Sequence, residues 1–170
     1  MSDLFRSEFD SFDDYDDEED EIIQNRYLTF KVGEEEYGID IHYVLEIVGL
    51  IKITPLPETE NYIKGVVNLR GQVIPVIDMR LRFSLPQKDY DMTTCIIVVN
   101  LNEKYEGLIV DNVSEVMEIP EENITRPEKI KRKTDGKYVS GLGKVGQDVK
   151  ILLDLEKLLT DDIDVSLVID

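Results

Sequence analysis

Between residues 27 and 160 the apolar positions come in short runs, many alternating with polar ones and many punctuated by Gly, Pro, Asn or Asp. "YLTFKV" alternates and is rich in β-formers, Gly33 and the acids after it make a turn, and "EYGIDI" returns. Further strand-like runs are "LEIVGLI", "KGVVNL", "QVIPVI", "TCIIVVN", "YEGLIVD", "SEVMEI", "YVSGLG" and "DVKILLDL". Side chains that alternate between two faces of a half-buried sheet produce this pattern. Helical signals are short: "IDIHYVLEI", where Ile41, Val44, Leu45 and Val48 have helical spacing, then "ETENYI", "DMRLRF" and "DLEKLL". The pattern predicts an all-β protein with a few short helices, built as small barrels or a sandwich.

The chain also repeats itself. "YGIDIHYVLEI" (37–47) lies over "EGLIVDNVSEV" (106–116) at an offset of 69, which pairs Gly38 with Gly107, Val44 with Val113 and Glu46 with Glu115. "YIKGVVNLRGQVIPVIDM" lies over "YVSGLGKVGQDVKILLDL" at an offset of 76, pairing Tyr62 with Tyr138, Gly65 with Gly141 and Asp78 with Asp154. Gly71-Gln72 and Gly146-Gln147 match at 75, which reads as a one-residue slip in a hairpin. "IT" with a nearby proline recurs at Ile53-Thr54-Pro55 and at Ile124-Thr125. The matches keep one order, so the chain is read as two copies of a β-rich unit, residues 27–87 and 88–160. Units of this size are marginal for an independent core. The copies are therefore expected to bury apolar surface against each other, with strand exchange between them left open.

Arg70 stands at the centre of the core-like "YIKGVVNLRGQVIPVID". "NLRGQ" fits a hairpin in which Leu69 and Arg70 form a type I turn and Gly71 the left-handed bulge residue. Pro75 lacks a backbone donor, so "QVIPVI" is expected to be an edge strand or to be bulged there. Arg70 is then either a solvated turn residue or an anchor for a partner, since arginine stacks and hydrogen-bonds through one planar group. The second copy carries Val145 at the corresponding place, so the turn itself does not require arginine.

Charge changes the picture at one end. The formal net charge is −18, and residues 1–21 carry −10 of it, with eleven acids and one base. "DSFDDYDDEEDE" repels itself and has little to bury, so residues 1–26 are expected to be a disordered acidic tail, as are 161–170 a C-terminal tail. Phe5, Phe9 and Phe12 leave a short docking motif open. The acidic excess argues against nucleic acid or an anionic bilayer as the main partner. The basic "RPEKIKRKTDGK" (126–137) reads as a solvated loop. One cysteine, no signal-peptide pattern at the start and no apolar stretch of membrane-spanning length predict a cytoplasmic protein.

Catalytic and metal chemistry find little to stand on. Asp14, Asp16 and Glu18 have calcium-loop spacing, but Glu19 occupies the place of the turn glycine and Asn25 that of the bidentate glutamate. His42 is the single histidine and Cys95 the single cysteine, too few for a zinc site. "GLGKVG" (141–146) spells a dinucleotide fingerprint, but a strand-like run follows where a helix is needed. The repeat makes it the second copy of the "KGVVNLRGQ" hairpin. No enzyme, cofactor or metal is predicted.

"FKVGEEEYGIDI", "VLEIVGL", "ITPLP", "YIKGVVNLRGQVIPVIDMRLRF", "GLIVDNVSEVMEI", "YVSGLG" and "ILLDLEKLL" resemble, in order, the CheW-like family, the coupling proteins of bacterial chemotaxis. The resemblance covers about 27–160 and leaves the acidic tail outside. It implies two tandem five-stranded SH3-like (or OB-like) barrels packed together, and a non-enzymatic adaptor. The partners it implies are the cytoplasmic tip of methyl-accepting chemoreceptors and the regulatory domain of the histidine kinase CheA, in arrays that recruit the protein to the membrane without direct insertion. By motif, Val44, Glu46, Gly65 and Arg70 match receptor-coupling positions. Val44 would line a groove, Glu46 and Arg70 would supply polar contacts or orient each other, and Gly65 would let backbone or partner approach. Ile130 matches a kinase-contacting position. A scaffold of a different chemosensory or surface-motility system is the close alternative.

Overall fold

The computed structural model describes residues 24–126 and 138–160. The acidic run of the tail, the segment 127–137 with Ile130, and residues 161–170 lie outside the described residues. The strands are β1 (Arg26–Val32), β2 (Glu35–Asp40), β3 (Val44–Gly49), β4 (Ile63–Leu69), β5 (Gln72–Asp78), β6 (Cys95–Leu101), β7 (Lys104–Val110), β8 (Asn112–Glu118), β9 (Ile124–Thr125), β10 (Val139–Val145) and β11 (Asp148–Leu153). Two short helices, α1 (Met79–Arg82) and α2 (Leu155–Thr160), follow β5 and β11. The fold is mainly β, as the alternation predicts.

Two mixed sheets form. One has the order β8-β1-β2-β11-β10-β9, the other β3-β6-β7-β5-β4. Under the repeat, β1 corresponds to β6, β2 to β7, β3 to β8, β4 to β10 and β5 to β11, so the two orders are the same order. Each sheet therefore joins the first hairpin of one half to the later strands of the other half. The joints are parallel: Leu152 opposite Gly38 on one side, Val76 opposite Gly107 on the other. The equivalence reaches single hydrogen bonds, since Asp78 N–H donates to the Tyr62 carbonyl and Asp154 N–H to that of Tyr138, both at 2.7 Å.

The helix expected at "IDIHYVLEI" is only a 3-10 turn, Ile41–Tyr43, before β3. The four residues with helical spacing go to different places: Ile41 and Val44 into the core between the sheets, Val48 against the apolar cluster on the other face of the five-stranded sheet, and Leu45 to the surface. β3 pairs with β6 so that Val44 faces Val99 and Glu46 faces Val98, leaving Leu45 as an extra residue. The extra residue breaks the strand's alternation, so Val44 and Ile47 turn inward and Leu45 is exposed. β8 repeats this, with Ser114 inserted between Val113 and Glu115. "ETENYI" forms turns and not a helix. Pro75 lies on β5 between β4 and β7, not on an edge strand. Its missing donor is tolerated because the pairing with β7 begins one residue later, at Val76.

The largest apolar cluster belongs to neither half. Leu28, Phe30, Ile39, Ile97, Val99, Leu108 and Leu158 pack in it, joining both sheets and α2. Val67, Ile74, Val76, Ile96, Val98 and Ile109 pack on the other face of the five-stranded sheet. β6 is thus buried on both faces, the reason Cys95–Val99 is an unbroken apolar run. Ile119, Ile124 and Leu152 form the smaller cluster of the six-stranded sheet.

Helix α1 ties the halves together. The Asp78 carboxylate accepts from the Arg80 and Leu81 N–H groups at 2.9 and 3.3 Å, and from the Tyr90 hydroxyl at 2.7 Å. Arg82 lies between the rings of Tyr62 and Tyr138, 4.7 and 4.3 Å from their centroids. Arg80 grips Asp111 through Nε and Nη2, at 2.9 and 2.8 Å, and the Gly33 N–H adds a bond of 2.9 Å to the same carboxylate. Burial pushes the Asp111 carboxyl up, but the bonds from Arg80 and Gly33 outweigh it and hold it below the ordinary carboxylate range.

Two outcomes are expected. Residues 24–87 and 88–170 made separately should each be unfolded by circular dichroism, because each lacks the hairpin that completes its sheet; independent folding of either would show that the exchange is dispensable. Asp111 has a folded pKa below its unfolded value near about 4, so its contribution is present above that value and lost as pH falls through the folded one. The drop in urea midpoint between neutral and strongly acid pH should be smaller in Asp111→Asn than in the unaltered protein.

Candidate functional site

The hairpin β4–β5 closes with Leu69 opposite Gln72, so its loop is Arg70-Gly71 alone. Both residues have positive φ, 54° and 87°, which is a type I′ turn and corrects the type I turn with a bulge expected from the sequence. The second copy closes with Val145 opposite Asp148 around Gly146-Gln147. The offset of 76 therefore holds throughout, without a slip, and the residue equivalent to Arg70 is Gly146, not Val145. Arginine occupies a left-handed position that its counterpart fills with glycine.

Arg70 reaches across to β3 and forms an ion pair with Glu46. This pair links β3, at one edge of the five-stranded sheet, to the tip of the hairpin that ends in the other edge strand. The Arg70 side chain remains 65% exposed and that of Glu46 21%. A left-handed arginine costs roughly 1–2 kcal/mol, and an ion pair this exposed returns up to about 1 kcal/mol. The return at best matches the cost, so stability does not account for arginine at the tip.

Of the residues marked in the sequence, the fold brings Glu46 and Arg70 into contact. Val44 is buried in the core shared by the two sheets, 8% exposed, and does not line a surface groove as expected from the motif. The bulge exposes Leu45 in its place, and Leu50 is exposed where β3 ends. Sequence reading placed Leu45 on a helix and not on an exposed strand face, because the bulge breaks the alternation that marks a strand. Gly65 serves the backbone: its φ is +142°, and a Cβ there would meet the Thr54 carbonyl oxygen at 2.1 Å. That close approach lets Thr54 exchange backbone bonds of 2.8 and 2.9 Å with Val66, closing the segment that carries Ile51 and Ile53 over the sheet. Ile130 lies outside the described residues.

His42 and Cys95 have separate partners. The His42 ring bonds Asp40 at 2.7 Å, and the Cys95 thiol, pushed up by burial, donates to the Thr93 carbonyl at 3.2 Å. "GLGKVG" forms β10 and its turn, followed by β11. Among the described residues, the surface here offers an exposed guanidinium paired with a carboxylate, with exposed Leu45 on the strand that carries Glu46 and Leu50 just past its end.

Comparison with known proteins bears on this arrangement. A family model, the CheW-like domain, matches residues 26–162. The chain belongs to the CheW-like family. It is 39% identical to the chemotaxis protein CheW of Klebsiella aerogenes over 142 residues, covering 84% of this chain and 86% of that one. It is 35% identical to the chemotaxis protein CheW of Helicobacter pylori over 164 residues, covering 95% and 97%. Among solved structures, the scaffolding protein TtCheW of Thermoanaerobacter tengcongensis matches with a TM-score of 0.71 and 37% identity, covering 76% of this chain and 88% of that one. This CheW-like chain is a chemotaxis adaptor.

Gly65→Ala is expected to destabilise this CheW-like fold by roughly 2 kcal/mol or more, since a new Cβ would meet backbone and adopt a φ that side chains avoid. Urea unfolding checks it; an unchanged midpoint would mean the Thr54 segment is not held by this contact.

Proposed function

We propose that this adaptor couples the cytoplasmic tip of methyl-accepting chemoreceptors to the regulatory domain of the histidine kinase CheA, without catalysing a reaction itself. The observation that carries the reading is Arg70, exposed at a conformation that disfavours it and held by Glu46 from another strand. A receptor tip is a helical hairpin, and a helix docks by laying apolar residues into a groove with polar contacts at the rim. Leu45 and Leu50 supply apolar surface along β3, and Arg70 with Glu46 the polar rim. Val44 and Gly65 act beneath that face, through packing and backbone approach. Ile130 belongs to the kinase contact.

Coupling of this kind is mechanical. A shift at the receptor tip changes kinase activity through contacts that differ between two states, and several modest interfaces in one array provide avidity. Among the described residues no helix is long and apolar enough to cross a membrane, and the protein reaches the membrane through its receptors.

The test is autophosphorylation of CheA with receptor-containing membranes, with and without the adaptor. Stimulation that requires all three components is expected, and Arg70→Ala should remove most of it while shifting the unfolding midpoint little. Absence of stimulation by the folded, unaltered protein would overturn the reading, and a large loss of stability in Arg70→Ala would make the arginine structural.

A further inference from the structure

Among the described residues, four hairpins close with two-residue loops, and they are of two kinds. Arg70-Gly71 and Asn102-Glu103 have positive φ at both residues; Gly33-Glu34 and Gly146-Gln147 have it at the glycine alone. The residue two places before each loop divides them in the same way. It is Asn68 and Asn100 in the first pair, Lys31 and Lys144 in the second. Each asparagine accepts a hydrogen bond from the second loop residue: Gly71 N–H donates to Asn68 Oδ1 at 2.8 Å, and Glu103 N–H to Asn100 Oδ1 at 2.9 Å.

That N–H belongs to the central peptide of the turn. Its orientation distinguishes a type I′ turn from a type II′ turn, and a type II′ turn needs glycine at the first loop position. A side-chain acceptor on this N–H selects the I′ orientation, the one that admits a residue with a side chain at the first position. The lysines have no acceptor to offer, and both of their hairpins place glycine there.

We propose that Asn68 is a positioning residue for Arg70: by holding the central peptide of the turn it keeps the arginine in the left-handed conformation from which it meets Glu46 and faces the receptor. This rests on the coupling role given to Arg70 above. Asn100 makes the same bond on a hairpin with no arginine, so it serves as an internal control.

The experiment titrates full-length adaptor in the three-component kinase assay and measures hydrogen exchange at the Gly71 amide. Asn68→Ala should raise the concentration for half-maximal stimulation about fivefold, the population change that one modest hydrogen bond sets, and speed exchange at Gly71. Asn68→Asp, which keeps an acceptor, should restore both. Asn100→Ala should leave stimulation unchanged while speeding exchange at Glu103. Unchanged exchange at Gly71 in Asn68→Ala would overturn the proposal. So would normal stimulation by Asn68→Ala where Arg70→Ala fails, or an equal loss of stimulation in Asn100→Ala, which would assign the effect to stability. Full stimulation by Arg70→Ala would instead bring down the coupling role on which the proposal stands.

Discussion

Two short parallel contacts, β5 with β7 and β11 with β2, carry each half's first hairpin into the other half's sheet. The rest of the architecture follows from them. A unit of about 65 residues buries too little apolar surface to stand alone. Exchanging hairpins makes each sheet a joint product, and the largest apolar cluster forms between the two. Helix α1 then fastens the result, its two arginines reaching Asp111 and Tyr138 in the second half. An adaptor made this way has no easy line of separation, which suits a part that must pass on small displacements between partners.

The repeat also shows where the copies were free to differ. The bulge, the close approach of a crossing segment over a glycine, and the capping aspartate before a short helix are present in both. The hairpin tips differ. One tip holds an arginine paired with Glu46, and its counterpart holds glycine with Glu115 on the equivalent strand. Elements required by the shared core recur, whereas an exposed tip contributes little to packing and can be given over to recognition.

Much of the fold was legible in the chain itself. Alternating apolar runs between turn residues gave the strands, the two offsets gave the repeat, and the family motifs marked Glu46 and Arg70 together. Reading failed where a local pattern imitated another. Ile41, Val44, Leu45 and Val48 are spaced like a helix across a 3-10 turn and a bulged strand, and the glycines of "NLRGQ" and "KVGQD" suggested a slip that hydrogen-bond register does not contain.

The sequence by itself determined the β class, the duplication, the acidic charge and the residue types at the recognition tip, because these depend on side-chain period and composition. Tertiary structure alone decided which strands share a sheet, that Val44 turns inward, that Gly65 admits the Thr54 carbonyl, and that Arg70 meets Glu46. The physical reason is that strand partnership and side-chain contact are set between segments tens of residues apart, where one chain offers several acceptable pairings. Burial of the common core selects among them.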